Sequence, residues 1–447
     1  MATNPTYRYT VPFGRGEATF GLPFGVVGSI AQSNPVPAFD HPASAAREAI
    51  KAPVGCPPLR ELARGKQRVC IAVTDATRAC PDAILVPPML KELAAAGVRP
   101  DQITLIVAVG THRASTAAEK RDKLGAAIVD GFRVVDHDAS DDANLVTVMD
   151  GPGGIPFRIN RLAAEADLLL STGLMEPHQY AGFSGGGKTV AIGCGDESTI
   201  AYTHGPAMLD QAGTRLALLV GNPFQEAVRE VAAAANVAFV GNAVLDDQGS
   251  MIAVAYGAPA AVQDHLATIA GPVFTVPIPR QVDIAIAGVG YPKDANLYQA
   301  SRAASYLQFA PTPVVRQGGV IIVPAACPEG AGDGIGEQRF LAAMSRPGGG
   351  AAVIKRARRE GIQPGEQRAY IMARVLEEVT VIFAGIADPA LAHAVGCLAA
   401  PDIDEAIAQA VAIVGLPATA LVVPHALLTL PIVGGGVARH QLVGAAG

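Results

Sequence analysis

The chain has 447 residues, with 34 Lys+Arg against 40 Asp+Glu for a formal net charge of −6, and it carries 49 glycines and no tryptophan. Half of the residues are hydrophobic, only 17% are charged, and the mean hydropathy is +0.30, which excludes intrinsic disorder. The pI of about 5.9 excludes bulk nucleic-acid binding, and the length suits two domains.

Met1 to Thr10 is polar and aromatic and lacks a basic-then-apolar export pattern. Further on, short apolar runs alternate with helical patterns, the signature of βαβ units and a mostly parallel sheet. Strands are predicted at Arg68–Thr74, Ile103–Val109, Phe132–Asp136 and Asp167–Ser171, with a helix at Ala83–Ala96 that stops before Gly97. A helix at Phe224–Ala235 and strands near Val237–Val244 and Met251–Tyr256 follow. Gly271–Arg280 carries three prolines and reads as an inter-domain linker. A second pattern then has strands at Val282–Gly288, Gly319–Pro324, Val379–Ala384 and Thr419–Pro424. Its helices lie near Ala295–Gln308, Gln338–Ser345, Glu366–Glu378 and Ile403–Val414.

The expected fold is therefore α/β: two domains with mostly parallel sheets and an active site in the cleft between them. Residues 1–275 form the N-terminal domain and residues 276–447 the C-terminal one, whose last residues are able to pack back on the first. No charged residue stands between Glu405 and Arg439, yet three prolines and many glycines break that stretch. It reads as a buried helix, strand and loop, not as a membrane span. Six scattered cysteines without a C-x-x-C pair suit reduced thiols in a cytoplasm.

Ligands in open α/β sheets bind at the carboxyl ends of the strands. Asp75-Ala-Thr-Arg78 follows the first predicted strand and Gly110-Thr111-His112-Arg113 the second. The fourth is followed by TGLMEPHQYAGFSGGGKT, and the first strand of the second domain by GYPKDANLYQASR. Singly, Asp75, Arg78 and His112 read as capping and turn residues. Their joint placement at strand ends points to a cleft.

Gly182 to Thr189 satisfies the phosphate-loop pattern G-x-x-x-x-G-K-[ST]. A nucleotide hydrolase or kinase is the alternative that this motif raises. The context departs from that pattern, because MEPHQYA separates Leu174 from the glycines and TVAIGCG is a poor long helix. Four glycines beside one lysine instead expose Lys188 for a task. Of nine histidines, His41, His265, His393 and His440 sit in polar or helical contexts, and His137 and His425 suit structural roles. His112, His178 and His204 stand apart. With Lys188 they make either a metal site or an acid/base pair, and spacing alone leaves both open.

The set T-D-x-T-R (Thr74 to Arg78), G-T-H-R (Gly110 to Arg113), P-H-x-x-A-G-x-S-G-G-x-K (Pro177 to Lys188), His204 and N-L-Y-Q (Asn296 to Gln299) resembles the nickel-pincer lactate racemase family. The resemblance runs from about residue 8 to the VVPHALLTLP segment, most of the chain. It implies nickel held in a pyridinium-3,5-bisthiocarboxylic acid mononucleotide tethered through Lys188, with His204 as the protein ligand to nickel. It further implies His112 and His178 as acid/base residues, Arg78, Gln299 and Arg302 as substrate-binding residues, and Asp75 beside the cofactor. Ser184, Gly185, Gly186 and Gly187 would hold the cofactor, the glycines offering backbone N–H groups to its phosphate. The implied reaction inverts C2 of a 2-hydroxy acid by reversible hydride transfer, which avoids a carbanion beside an ionised carboxylate. Cofactor-maturation enzymes are the implied partners, with no nucleic acid and no membrane. Two departures point past lactate itself to a related 2-hydroxy acid or sugar acid. Arg302 stands where the family has a lysine, which excludes any role for a neutral amine. The family's tryptophan near the region aligned with Gly365–Tyr370 is absent.

Overall fold

The computed structural model of the chain describes residues 3–435, so His440 and the terminal segment expected to pack back on the first domain lie outside the described residues. Two six-stranded sheets carry the fold. The first runs in the order Met251–Gly257, Val237–Leu245, Leu168–Leu174, Val69–Thr74, Ile103–Ala108, Arg133–Asp136. All its pairings are parallel except that of the Met251–Gly257 edge. The second runs Leu398–Ala400, Thr380–Ala384, Val315–Pro324, Val282–Ala287, Ala418–Val423, Val26–Ile30, and is parallel throughout. Central strands such as Val69–Thr74 and Leu168–Leu174 are buried at every residue. Helices on both faces cover them, which accounts for near-continuous apolar runs and the low charge fraction.

The fold is the α/β arrangement expected, and the predicted central strands match within a few residues. Three differences have physical causes. The stretch read as a linker is instead the last turn of helix Pro259–Phe274, followed by strand Thr275–Ile278, which pairs with Leu430–Val433. Asn34 and Thr275 satisfy the carbonyls at that helix end: Asn34 donates to Pro272 (2.6 Å) and Val273 (2.8 Å), and the Thr275 hydroxyl donates to Gly271 (2.7 Å). Ala295–Gln308 divides into Leu297–Ala300 and Arg302–Gln308, and the Ser301 hydroxyl donates to the Tyr298 carbonyl at the break (2.7 Å). The N-terminal segment forms a hairpin, Thr3–Phe13 with Gly16–Pro23, and then the edge strand of the second sheet. Tyr9, Val11 and Phe20 pack there on Ile284, Ile322 and Val422.

A buried polar knot anchors the end of strand Val69–Thr74. Asp82, fully buried at the start of helix Asp82–Ala95, accepts from the Thr74 hydroxyl (2.6 Å) and from the Thr172 hydroxyl. Lys123 lies 3.2 Å from its carboxylate and also donates to the Arg78 (2.6 Å) and Cys80 (2.7 Å) carbonyls. The knot thus fixes the loop that carries Asp75 and Arg78. Removing one partner of a buried ion pair costs about 3–5 kcal/mol. Asp82→Ala is expected to lower the stability of the first sheet by about that much, seen as an earlier denaturant midpoint by circular dichroism. Asp82→Asn, which keeps acceptors, should lose less. An unchanged midpoint for Asp82→Ala would remove this role.

Candidate active site

In the first sheet the chain steps from Val69–Thr74 to one side, through Ile103–Ala108 and Arg133–Asp136, and later to the other, through Leu168–Leu174. That reversal opens a crevice at the carboxyl ends. A cavity of about 160 Å³ lies there. Asp75, Arg78, His112, His178, Lys188 and His204 all line it, together with Ser184 and Gly185, and Gln367 reaches it from the second domain.

Each histidine is held differently. His112 Nδ1 lies 2.6 Å from Asp75 Oδ2, and the ring is half-exposed. The buried carboxylate accepts a hydrogen bond from Nδ1–H, the tautomer in which a neutral ring keeps a free lone pair on Nε2. Burial would raise the Asp75 carboxyl. Hydrogen bonds from His112 and Thr77, with the charges of His112 and Arg78, outweigh it and hold the group below its ordinary value. His178 is turned the other way: its Nδ1 accepts from the backbone N–H groups of Ala181 (3.1 Å) and Tyr180 (3.3 Å). Burial, then the charges of Lys188, His204, Arg78 and Arg302, push His178 well below its usual range, so it is neutral.

His204 closes helix Glu197–Thr203, and its Nδ1 lies 3.1 Å from the Ile200 carbonyl and 3.0 Å from the Thr203 hydroxyl. Donation to the carbonyl fixes the tautomer whose Nε2 can bind a metal. Burial, then Lys188, lowers His204 to about 3. Lys188 begins a helix of four residues, Lys188–Ala191. Burial first and Arg78 next, partly offset by Glu176, bring its amine down to about 7. A neutral, nucleophilic amine is therefore available near pH 7.

The glycine loop is built differently from a phosphate cradle. Gly186 and Gly187 do not line the cavity. Gly186 gives its N–H to Asn242 (2.7 Å). A Cβ on Gly187 would meet the Ala232 methyl at 2.2 Å. The Ser184 hydroxyl donates to the Leu174 carbonyl (2.6 Å), fastening the loop to its strand. The Thr189 hydroxyl is likewise spent on the Thr172 carbonyl (2.6 Å). With a helix of four residues behind Lys188 and a β-hairpin, Pro177–His178 with Gly182–Phe183, before it, nothing supports the nucleotide hydrolase or kinase alternative.

Gln299 and Arg302 do not line this cavity. They stand together in the second domain, Arg302 Nη1 lying 3.3 Å from Gln299 Oε1 and Nη2 3.0 Å from the Tyr306 hydroxyl. The charge of Arg302 nevertheless reaches both His178 and Lys188. Sequence reasoning missed Glu176, Gln367 and Lys293. Glu176, adjoining the Pro177-His178 motif, was the readable one. Lys293, in the loop after strand Val282–Ala287, is lowered to about 8 by burial and then by Arg302. Gln367 opens a helix in the second domain, and only the fold brings it to the cavity.

Among the described residues, no three His, Cys, Asp or Glu side chains gather as a metal site, and no helix is long and apolar enough to cross a membrane. Residues 13–216 match the family model "Lactate racemase N-terminal domain" and residues 278–430 "Lactate racemase C-terminal domain". A lactate racemase of Lactiplantibacillus plantarum is 35% identical, covering 84% of this chain and 87% of that protein. Another from Thermoanaerobacterium thermosaccharolyticum is 30% identical, covering 83% and 86%. The structure of the lactate racemase apoprotein from T. thermosaccharolyticum superposes with a TM-score of 0.85 and 28% identity, over 95% of this chain and 100% of that one. A Thermotoga maritima protein shares the fold, with a TM-score of 0.63 and 17% identity over 90% of this chain and all of that one.

The Lys188 shift has a thermodynamic signature. The folded amine titrates near 7 and the unfolded one near 10.5, so between those values the folded chain binds fewer protons. Wild-type stability gains with rising pH across that window, and the penalty is full below it. Lys188→Met apoprotein should therefore melt above wild type at pH 7, the gap closing as pH approaches 10. Differential scanning calorimetry at several pH values checks this, and a gap that does not vary with pH would contradict it.

Proposed function

The chain belongs to the lactate racemase family and is an isomerase; on that premise we propose that it inverts C2 of a 2-hydroxy acid with a nickel-pincer nucleotide tethered at Lys188. The observation that carries this reading is the convergence of an Asp75-oriented His112, a neutral His178, a reactive Lys188 and a single His204 on one cavity.

The donor set suits such a group. Among the described residues no three side chains gather to hold a metal, so with His204 as the protein ligand the other donors to nickel would come from a bound molecule. Lys188 supplies an amine that is nucleophilic near neutral pH, as an amide- or thioamide-type tether requires. When bound, the cofactor would supply a reversible hydride acceptor for the hydrogen of C2.

The chain's own residues handle the protons and the carboxylate. His112 Nε2, its ring fixed by Asp75, takes the hydroxyl proton from one enantiomer and returns it. His178 serves the other; with Nδ1 accepting from two backbone N–H groups, its neutral ring presents Nε2–H to the substrate oxygen, and it takes a proton only in the tautomer that gives up those two hydrogen bonds. Two bases are needed because the two enantiomers present their hydroxyls in different places. Arg78 at the cavity offers a fork to the C1 carboxylate. Arg302, with Gln299, adds positive field from the second domain, and the substrate range extends past lactate.

His112→Ala and His178→Ala are each expected to cut stereochemical exchange about 10²–10⁴-fold while stoichiometric nickel is retained. Chiral chromatography of a 2-hydroxy acid panel and metal analysis of protein from cofactor-making cells check both points. Peptide mass spectrometry should find the adduct on Lys188. Nickel-free protein from those cells, or nickel-loaded protein that exchanges no member of the panel, would refute the reading.

A further inference from the structure

His178 belongs to the first domain by sequence, yet the hairpin that carries it, Pro177–His178 with Gly182–Phe183, is held from both domains. Its turn and return strand are tied to the first. Asn222 Nδ2 donates to the Tyr180 carbonyl (2.7 Å), and the Ala217 N–H donates to the Gly182 carbonyl (3.2 Å). A Cβ on Gly182 would run into the Leu218 carbonyl, so this side is packed flush. The outgoing strand is tied to the second domain. Helix Arg302–Gln308 sends two consecutive side chains to the two chain neighbours of His178. The Tyr306 hydroxyl donates to the Pro177 carbonyl (3.3 Å), and the Ser305 hydroxyl donates to Gln179 Oε1 (2.8 Å).

Ser305, Tyr306 and Gln179 are all buried, so a hydroxyl removed there is not replaced by bulk water. Each hydroxyl also accepts from a guanidinium: Tyr306 from Arg302 (3.0 Å) and Ser305 from Arg368 (2.9 Å). A cation donating to a hydroxyl polarises it and strengthens the bond that it passes on. The His178 ring takes its direction from its own turn, because Nδ1 accepts from the Tyr180 and Ala181 N–H groups. Ring direction therefore follows the backbone of residues 177–181, and that backbone is shared between the domains. His112 differs: Asp75 orients it from within the first domain. Ser305 and Tyr306 do not line the cavity, so they act on the site only through the residues they hold.

We infer that Ser305 and Tyr306 are positioning residues for His178, through which the second domain sets where one acid/base histidine stands relative to the other, an inference that rests on the racemase reading. The Ser305 hydroxyl touches no group that holds the substrate carboxylate in that reading. Its loss therefore acts on turnover and not on affinity. The Tyr306 hydroxyl also carries Arg302, so Ser305 is the cleaner probe.

The test measures exchange of the 2-hydroxy acid that nickel-loaded wild type turns over fastest. Ser305→Ala is expected to lower kcat about tenfold or more, the scale of a small misplacement of a reacting group. KM should stay within about twofold and nickel should remain stoichiometric. Tyr306→Phe, which keeps the ring and its packing, should lower kcat likewise, and it carries the test if Ser305→Ala does not fold by circular dichroism. Gln179→Leu should resemble Ser305→Ala, and Gln179→Glu, which keeps an acceptor for Ser305, should recover part of that loss. Added to His178→Ala, Ser305→Ala or Tyr306→Phe should cost nothing further, because the residue being positioned is gone. An unchanged kcat in the folded variants, a Ser305→Ala loss carried by KM, a loss that multiplies with that of His178→Ala, or a loss of nickel would each overturn the positioning role and leave the racemase reading standing. Nickel-loaded wild type that exchanges no 2-hydroxy acid would remove both.

Discussion

A parallel strand covered by helices on both faces has nowhere to put a charge except at its ends. That constraint shapes this protein from composition to chemistry. Val69–Thr74 and Leu168–Leu174 are buried at every residue, and the side chains that do chemistry begin at the next turn: Asp75 after the one, Glu176 and His178 after the other. The reversal of strand order between them leaves room for a ligand, and His112 arrives from the loop after Ile103–Ala108, the strand beside Val69–Thr74. Where the fold must bury a charge deeper, as at Asp82, it encloses the carboxylate with two hydroxyls and a lysine.

The same constraint decided what was legible in the sequence. Short apolar runs ended by turn residues identified the central strands, because their period and burial are local properties. Turn residues after the strands pointed to Asp75, Arg78 and His112, and the glycine–lysine loop with its flanking histidines to His178, Lys188 and His204; all six line one cavity. Elements that depend on distant partners were not readable. Strand Val26–Ile30 exists because Ala418–Val423, almost four hundred residues later, offers an edge. Helix Pro259–Phe274 runs through Pro272 because Asn34 and Thr275 take its last carbonyls. The glycine loop was legible as a loop and misleading as a cradle. Gly186 and Gly187 are glycine because Gln263 and Ala232 press against them, a packing requirement that resembles a phosphate motif when only spacing is visible. Gln367 carries no motif, and its place at the cavity follows from where a second-domain helix begins.

The site is built at the expense of stability. Lys188 sits in the fields of Arg78 and Arg302, offset in part by Glu176 and then by Asp75, whose carboxylate is already committed to His112. Imidazoles at 178 and 204 are held neutral by burial and by those cations. A metal ligand must be neutral to offer its lone pair, and a proton acceptor must be unprotonated, so one positive environment prepares both. The Lys188 amine is brought toward neutrality by the same means.

An environment of unpaired cations also constrains what enters. Each unmatched guanidinium raises the affinity for an anion and the penalty for a neutral molecule at the same point. Arg302 makes this selectivity firm, because a guanidinium does not discharge when buried beside Lys188 and Lys293, whereas an amine sheds its proton more readily there, as those two are already drawn to do. The positive potential next to His178 is thereby made permanent.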